Sequence, residues 1–109
     1  MIDAACIAAI LDSLHDPLVF VDTHHVIRYM NQAAIRHYEE GAELIDRSVF
    51  DCHDAQSRHM IRDVFAALEA GEEERCITDN KESRIHMRAV RDAHGQLIGY
   101  YERYEPPVS

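Results

Sequence analysis

No apolar run in this sequence approaches the ~20 residues that a membrane helix needs; charged side chains interrupt every one. The opening Met1-Ile2-Asp3-Ala4-Ala5 has no positive region ahead of an apolar core, so a secretory signal is not expected. Paired cysteines are missing too. Cys6, Cys52 and Cys76 are odd in number and contain no Cys-x-x-Cys pair, which excludes a zinc ribbon or thioredoxin-type site. Unpaired cysteines fit a reducing compartment, and the expected location is cytoplasmic. Positive charge is scarce: 11 basic residues face 20 acidic ones, for a net charge of −9. Nucleic acid and anionic membranes both demand a positive footprint, so neither is an expected partner. Phosphate loops, nucleophile elbows and paired catalytic carboxylates are absent, and an enzyme is not expected. The enzymatic alternative is a small α+β isomerase or hydratase. It requires a buried acid or histidine in an open cone, and no acid here sits in a pattern that buries it.

What is present suffices for one domain with one core, spanning residues 1–109, of which 47% are hydrophobic. Ile7, Ile10, Leu11 and Leu14 recur at helical spacing and predict a helix over 3–14, with Asp3 at its start. The domain core then runs over 16–105. Residues 17–21 and 26–29 read as a hairpin around the polar Asp22-Thr23-His24-His25, a solvated turn with too few ligands for a metal. Asn31 caps a helix running to about Tyr38, and Gly41 stops it. Residues 42–53 are irregular. Asp54 caps a longer helix over about 55–70, whose apolar stripe is Met60, Ile61, Val64, Phe65 and Leu68. Glu72-Glu73-Glu74 reads as a solvated run at the start of an edge strand, 72–80. Two further strands follow, 83–91 and 96–104, joined by a turn at Asp92–Gly95 and ended by Pro106-Pro107. The order α-β-β-α-α-β-β-β predicts an α+β fold, with helices on one face of an antiparallel sheet.

Three local sequences occur in an order with a known parallel. Leu18-Val19-Phe20-Val21-Asp22 leads through a turn to Val26-Ile27-Arg28-Tyr29-Met30-Asn31-Gln32-Ala33-Ala34. Val90-Arg91-Asp92-Ala93-His94-Gly95-Gln96-Leu97-Ile98-Gly99-Tyr100 forms the closing hairpin. Over residues 3–104 this resembles the PAS superfamily. Phe50-Asp51-Cys52-His53 is similar to a PAS-like domain of uncharacterised bacterial and archaeal proteins that carry Cys-His-Pro-Pro there, although Asp54-Ala55 replace the prolines. The resemblance implies a five-stranded antiparallel sheet whose inner face and flanking helices enclose a pocket. It also implies a bacterial sensory module that binds a small ligand or cofactor, forms a homodimer through its N-terminal helix and contacts an unknown signalling protein. PAS domains of sensor kinases continue from the last strand through Asp-x-Thr into a signalling helix. Here Tyr101-Glu102-Arg103-Tyr104-Glu105-Pro106-Pro107 stands instead, so either a stand-alone module or a piece of a longer protein is expected.

Haem is the cofactor alternative, in a gas or redox sensor. Ser57-Arg58-His59 is similar to the stretch of oxygen-sensing rhizobial kinase PAS domains whose histidine is the proximal haem ligand. Helical phase opposes it. At about 100° per residue, His59 falls opposite the apolar stripe, beside Arg62 and Ala66. The same phase carried backwards puts His53 near the apolar side, facing a pocket or making a local bond at the helix start. Cys52, next to it, is either a small core residue or a thiol whose pKa a helix start lowers. Ile85, Met87 and Ala89 alternate inward on their strand and in such a fold line the pocket. The candidate contacts are therefore His53, His59, Cys52, Ile85 and Met87.

Overall fold

A computed structural model describes residues 2–106, without the side chain of Cys52. Helix α1 covers Ala4–Asp12, and Asp3 caps it by accepting from the Cys6 amide. Strands β1 (Leu18–Asp22) and β2 (Ile27–Met30) form the first hairpin. Helix α2 (Gln32–His37) and two 3-10 turns, Gly41–Leu44 and Val49–Cys52, lead to α3 (Ala55–Glu69). Strands β3 (Glu74–Asp79), β4 (Arg84–Arg91) and β5 (Leu97–Glu105) complete the chain. Pro106 follows β5; Pro107, expected to help end it, lies outside the described residues.

The sheet order is β2-β1-β5-β4-β3, with every neighbouring pair antiparallel. The fold is the expected α+β one. Strand β5, the last made, sits in the middle. Pairing sets Val19 and Val21 of β1 opposite Glu102 and Tyr100 of β5, which in turn face Met87 and Ala89 of β4. Because alternate residues share a face, these six form one inner surface. Against it pack Ile61, Val64 and Leu68 of α3, together with Ala34, Leu44 and Val49. Gly99 lets β1 and β5 approach: a Cβ there would collide with the Val21 carbonyl and lie 2.8 Å from the Phe20 ring.

Two polar residues fix the entry to this core. Asp22 turns the first hairpin by accepting from the amides of His24 (2.9 Å) and Val26 (3.1 Å), a side-chain mimic of a backbone turn. Asn31 is wholly buried, and all its bonding groups are used. Its Oδ1 accepts from Ala34 N at 2.9 Å, capping α2, and from Leu18 N at 3.0 Å. Its Nδ2 donates to the carbonyls of Leu11 and Asp16, each at 3.1 Å. One amide thus ties α1, β1 and α2 together.

Helix α1 docks through its C-terminal half, where the carbonyls of Ala8 and Leu11 and the carboxylate of Asp12 accept from Tyr29 and Asn31. The Tyr29 hydroxyl donates to Asp12 at 2.6 Å; burial, then this carboxylate, pushes the phenol up to about 12. Of the four apolar residues that predicted the helix, Leu11 is half-buried and the other three stay open to solvent. Ile7, Ile10 and the following Leu14 are 48%, 54% and 43% exposed, so in the single chain this stripe covers no core.

Candidate functional site

A pocket of about 250 Å³ opens between the inner sheet face and the segment from α2 to α3. Val19, Ile27 and Met30 form its sheet wall, and Leu44 and Val49 close the opposite side. Its polar lining is Tyr38, Glu40, His53 and Glu102. Among the described residues it is lined by two carboxyls and by neither lysine nor arginine.

Glu102 is the distinctive member. It lies on the central strand between Val19 and Met87, and only 6% of it is exposed. Among the described residues no hydrogen bond or ion pair reaches its carboxyl; burial pushes that carboxyl up from the ordinary glutamate value, and the charge of His53 opposes the rise. An acid left unpartnered in a protein interior is expensive. A perturbed acid of this kind lining a cavity marks a candidate binding or reaction site.

His53 reaches the pocket from the residue before the α3 cap. Asp54 accepts from Ser57 N at 2.8 Å to start the helix, and Arg58 donates to the carbonyls of Phe50 and His53 at 2.8 and 2.9 Å. These bonds hold the loop in shape, and His53 Nδ1 lies 2.7 Å from the Val49 carbonyl.

Beside the pocket, Tyr100 is wholly buried, and its hydroxyl lies 3.1 Å from His25 Nδ1. The His25 ring packs on Phe50 and Phe65, with centroids 4.6 and 4.7 Å apart. The Arg62 guanidinium lies over the Phe50 ring, 4.5 Å from its centroid. Burial lowers the pKa of His25, and the Arg62 charge lowers it further; burial raises that of Tyr100.

The residues read from sequence therefore separate. His53 lines the pocket. Met87 is fully buried next to Glu102, and Ile85 is half-buried farther along β4. The side chain of Cys52 lies outside the described residues. His59 points to solvent, 3.1 Å from Asp63, on the face of α3 that helical phase indicated. The first turn departs from expectation: His24 is exposed, but His25, at φ 63, folds back over the core. The acidic run is likewise only partly solvated, because Glu74 holds Arg103 at 2.9 Å beside the nearly buried His86. Glu102 was missed, and with it the buried acid that the sequence lacked a pattern to reveal. Among the described residues, no cluster of three histidines, cysteines or acids is arranged to hold a metal, and no helix is long and apolar enough to cross a membrane.

A family model described as a PAS domain matches residues 7–104. No curated protein matches the sequence. Several solved structures are similar in fold. A C-terminal domain from Streptococcus mutans is 21% identical, with a TM-score of 0.81 over 96% of this chain and 85% of that one. The PAS domain of a protein from Colwellia psychrerythraea is 14% identical, with a TM-score of 0.73 over 94% of each chain. A sensory box sensor histidine kinase from Vibrio cholerae is 12% identical, with a TM-score of 0.68 over 96% of this chain and 92% of that one.

Proposed function

The chain belongs to the PAS domain family, and from that premise we propose that it is a sensory module, not an enzyme: it binds a compact ligand in the inner-face pocket and signals by association. PAS domains are generally sensory rather than catalytic. The observation that carries the ligand reading is Glu102, a carboxyl held without a partner inside a pocket with apolar walls. The output surface we assign is α1. Its uncovered Ile7, Ile10 and Leu14 suit a second copy of this chain in a homodimer, which then presents a changed face to a signalling partner.

Haem does not fit these residues. An axial histidine must face an apolar slot large enough for the ring. His59 is exposed and paired with Asp63. The pocket beside His53, at about 250 Å³, falls below the roughly 300–1,000 Å³ usual for larger ligands and cofactors, and it contains a carboxyl.

The buried carboxyl also favours a second reading, in which Glu102 serves as the acid or base of a small isomerase. A test separates the two. Native mass spectrometry and a visible spectrum are taken on the purified protein. A small adduct, released on denaturation and lost with Val49→Trp, which fills the pocket, is the expected result. Turnover that Glu102→Gln abolishes transfers the site to the enzymatic reading. A Soret band removed by His53→Ala overturns the exclusion of haem.

A further inference from the structure

We infer that the inner-face pocket takes a small organic cation, a protonated amine on a compact apolar body, with its ammonium seated on Glu102. This rests on the reading of that pocket as a ligand site and adds the chemical class. Three observations carry it. Glu102 is 94% buried (6% exposed) and lines the pocket. Among the described residues nothing donates to its carboxyl, so every acceptor site is open to a ligand. The second charged group of the lining, Glu40, is also acidic, and among the described residues no guanidinium or ammonium lines the cavity.

The sign of the charge follows. An anionic ligand meets two carboxyls and finds only His53 in compensation. A neutral apolar ligand fills the walls but leaves the acid desolvated and unpartnered, the costly arrangement. An ammonium supplies up to three donors to an acceptor that has none and, in a low-dielectric site, a charge-assisted bond of the stronger kind. The volume limits the body to something smaller than a drug-sized molecule. The walls at Val19, Ile27, Met30, Leu44 and Val49 require that body to be apolar.

Binding also moves a proton. Burial favours the neutral carboxyl in the empty pocket, while the seated ammonium favours the carboxylate. Association therefore draws the carboxyl towards carboxylate, and the fraction that burial keeps protonated in the empty pocket gives up its proton as the ion pair forms. The groups near Glu102 that modulate this are His53, Tyr100, Tyr38 and Glu40.

The probes are cyclohexylamine, cyclohexanol and cyclohexanecarboxylate, matched in body and different in charge, titrated into the full chain. Binding is followed at the amides of Val19, Met30 and Glu102 by NMR, and proton release by calorimetry in buffers of different ionisation enthalpy. The expected result is an affinity for the amine at least tenfold above the other two, with proton release. In Glu102→Gln the preference and the proton release both disappear, while weak cyclohexanol binding persists. Equal binding of all three overturns the cation assignment and leaves the ligand pocket standing. So does tighter binding of the carboxylate, or an unchanged amine affinity in Glu102→Gln. No response of those amides to any probe overturns both.

Discussion

The Tyr100 hydroxyl and the His25 imidazole meet at 3.1 Å, joining the centre of β5 to the tip of the first hairpin. The turn is thereby held down over Phe50 and Phe65 instead of standing in water.

Removing the hydroxyl with Tyr100→Phe keeps the ring and deletes one partially buried bond. The expected loss is about 0.5–1.5 kcal/mol, read as a lower urea midpoint with an unchanged far-ultraviolet spectrum. The burial of His25 confers acid sensitivity. The pKa of His25 is lowered by burial, then by Arg62, from its ordinary 6.5. Below that value the unfolded chain takes a proton that the folded one refuses. This contribution to stability is complete above pH 6.5 and is lost as pH falls towards the lowered folded value. His25→Asn tolerates the positive φ and is expected to flatten that decline.

Glu102 acts in the opposite direction. Its pKa is raised by burial from the free value of 4.5. Below that value both states are protonated and nothing is lost. As pH rises, the unfolded chain ionises first, and the folded state loses ground until the raised value is passed. Glu102→Gln removes the titration. Its midpoint relative to wild type is expected to increase from acidic to neutral pH, and an equal offset at both pH values would count against this account.

Asn31→Asp keeps the shape and both caps to Ala34 and Leu18, but it turns two donors into acceptors. A carboxylate then faces the carbonyls of Leu11 and Asp16 at a position closed to solvent. Breaking buried polar networks in this way costs about 3–5 kcal/mol, and for a domain of this size the thermal midpoint should fall by well over ~10 °C. A shift of only a few degrees would mean that the amide's donors contribute little.

Helix α1 offers a test that spares the core. Ile7→Glu with Ile10→Glu changes exposed positions, so the unfolding free energy of the monomer is expected to move by less than ~0.5 kcal/mol. The proposed homodimer is expected to dissociate, by sedimentation. A dimer that survives both charges is built on another surface.

Much of the fold was legible because its signals are local. Asp3, Asn31 and Asp54 each cap the helix that follows, and the stripe of α3 correctly turned His59 outward. The pocket acid was illegible for a definite reason. Counting back from the last turn pairs Arg91 with Leu97, and continuing that register sets Met87 against Tyr101 and turns Glu102 outward. A bulge inserts one residue, so that Val90 pairs with Gly99 and Met87 with Glu102. A slip of one residue exchanges the two faces of a strand. His25 was missed similarly: a polar turn reads as solvated until a positive φ folds one of its side chains inward.

Strand β1 begins beside the end of β5, with Leu18 opposite Arg103 and Val19 opposite Glu102. Tension applied across these two strand ends works on that ladder as on a zipper, opening one rung at a time, rather than as shear resisted by all rungs together. The second rung contains Glu102. Opening that ladder from its Leu18 end reaches the pocket early, and a ligand of the proposed kind, bridging Glu102 to the opposite wall, would brace it there.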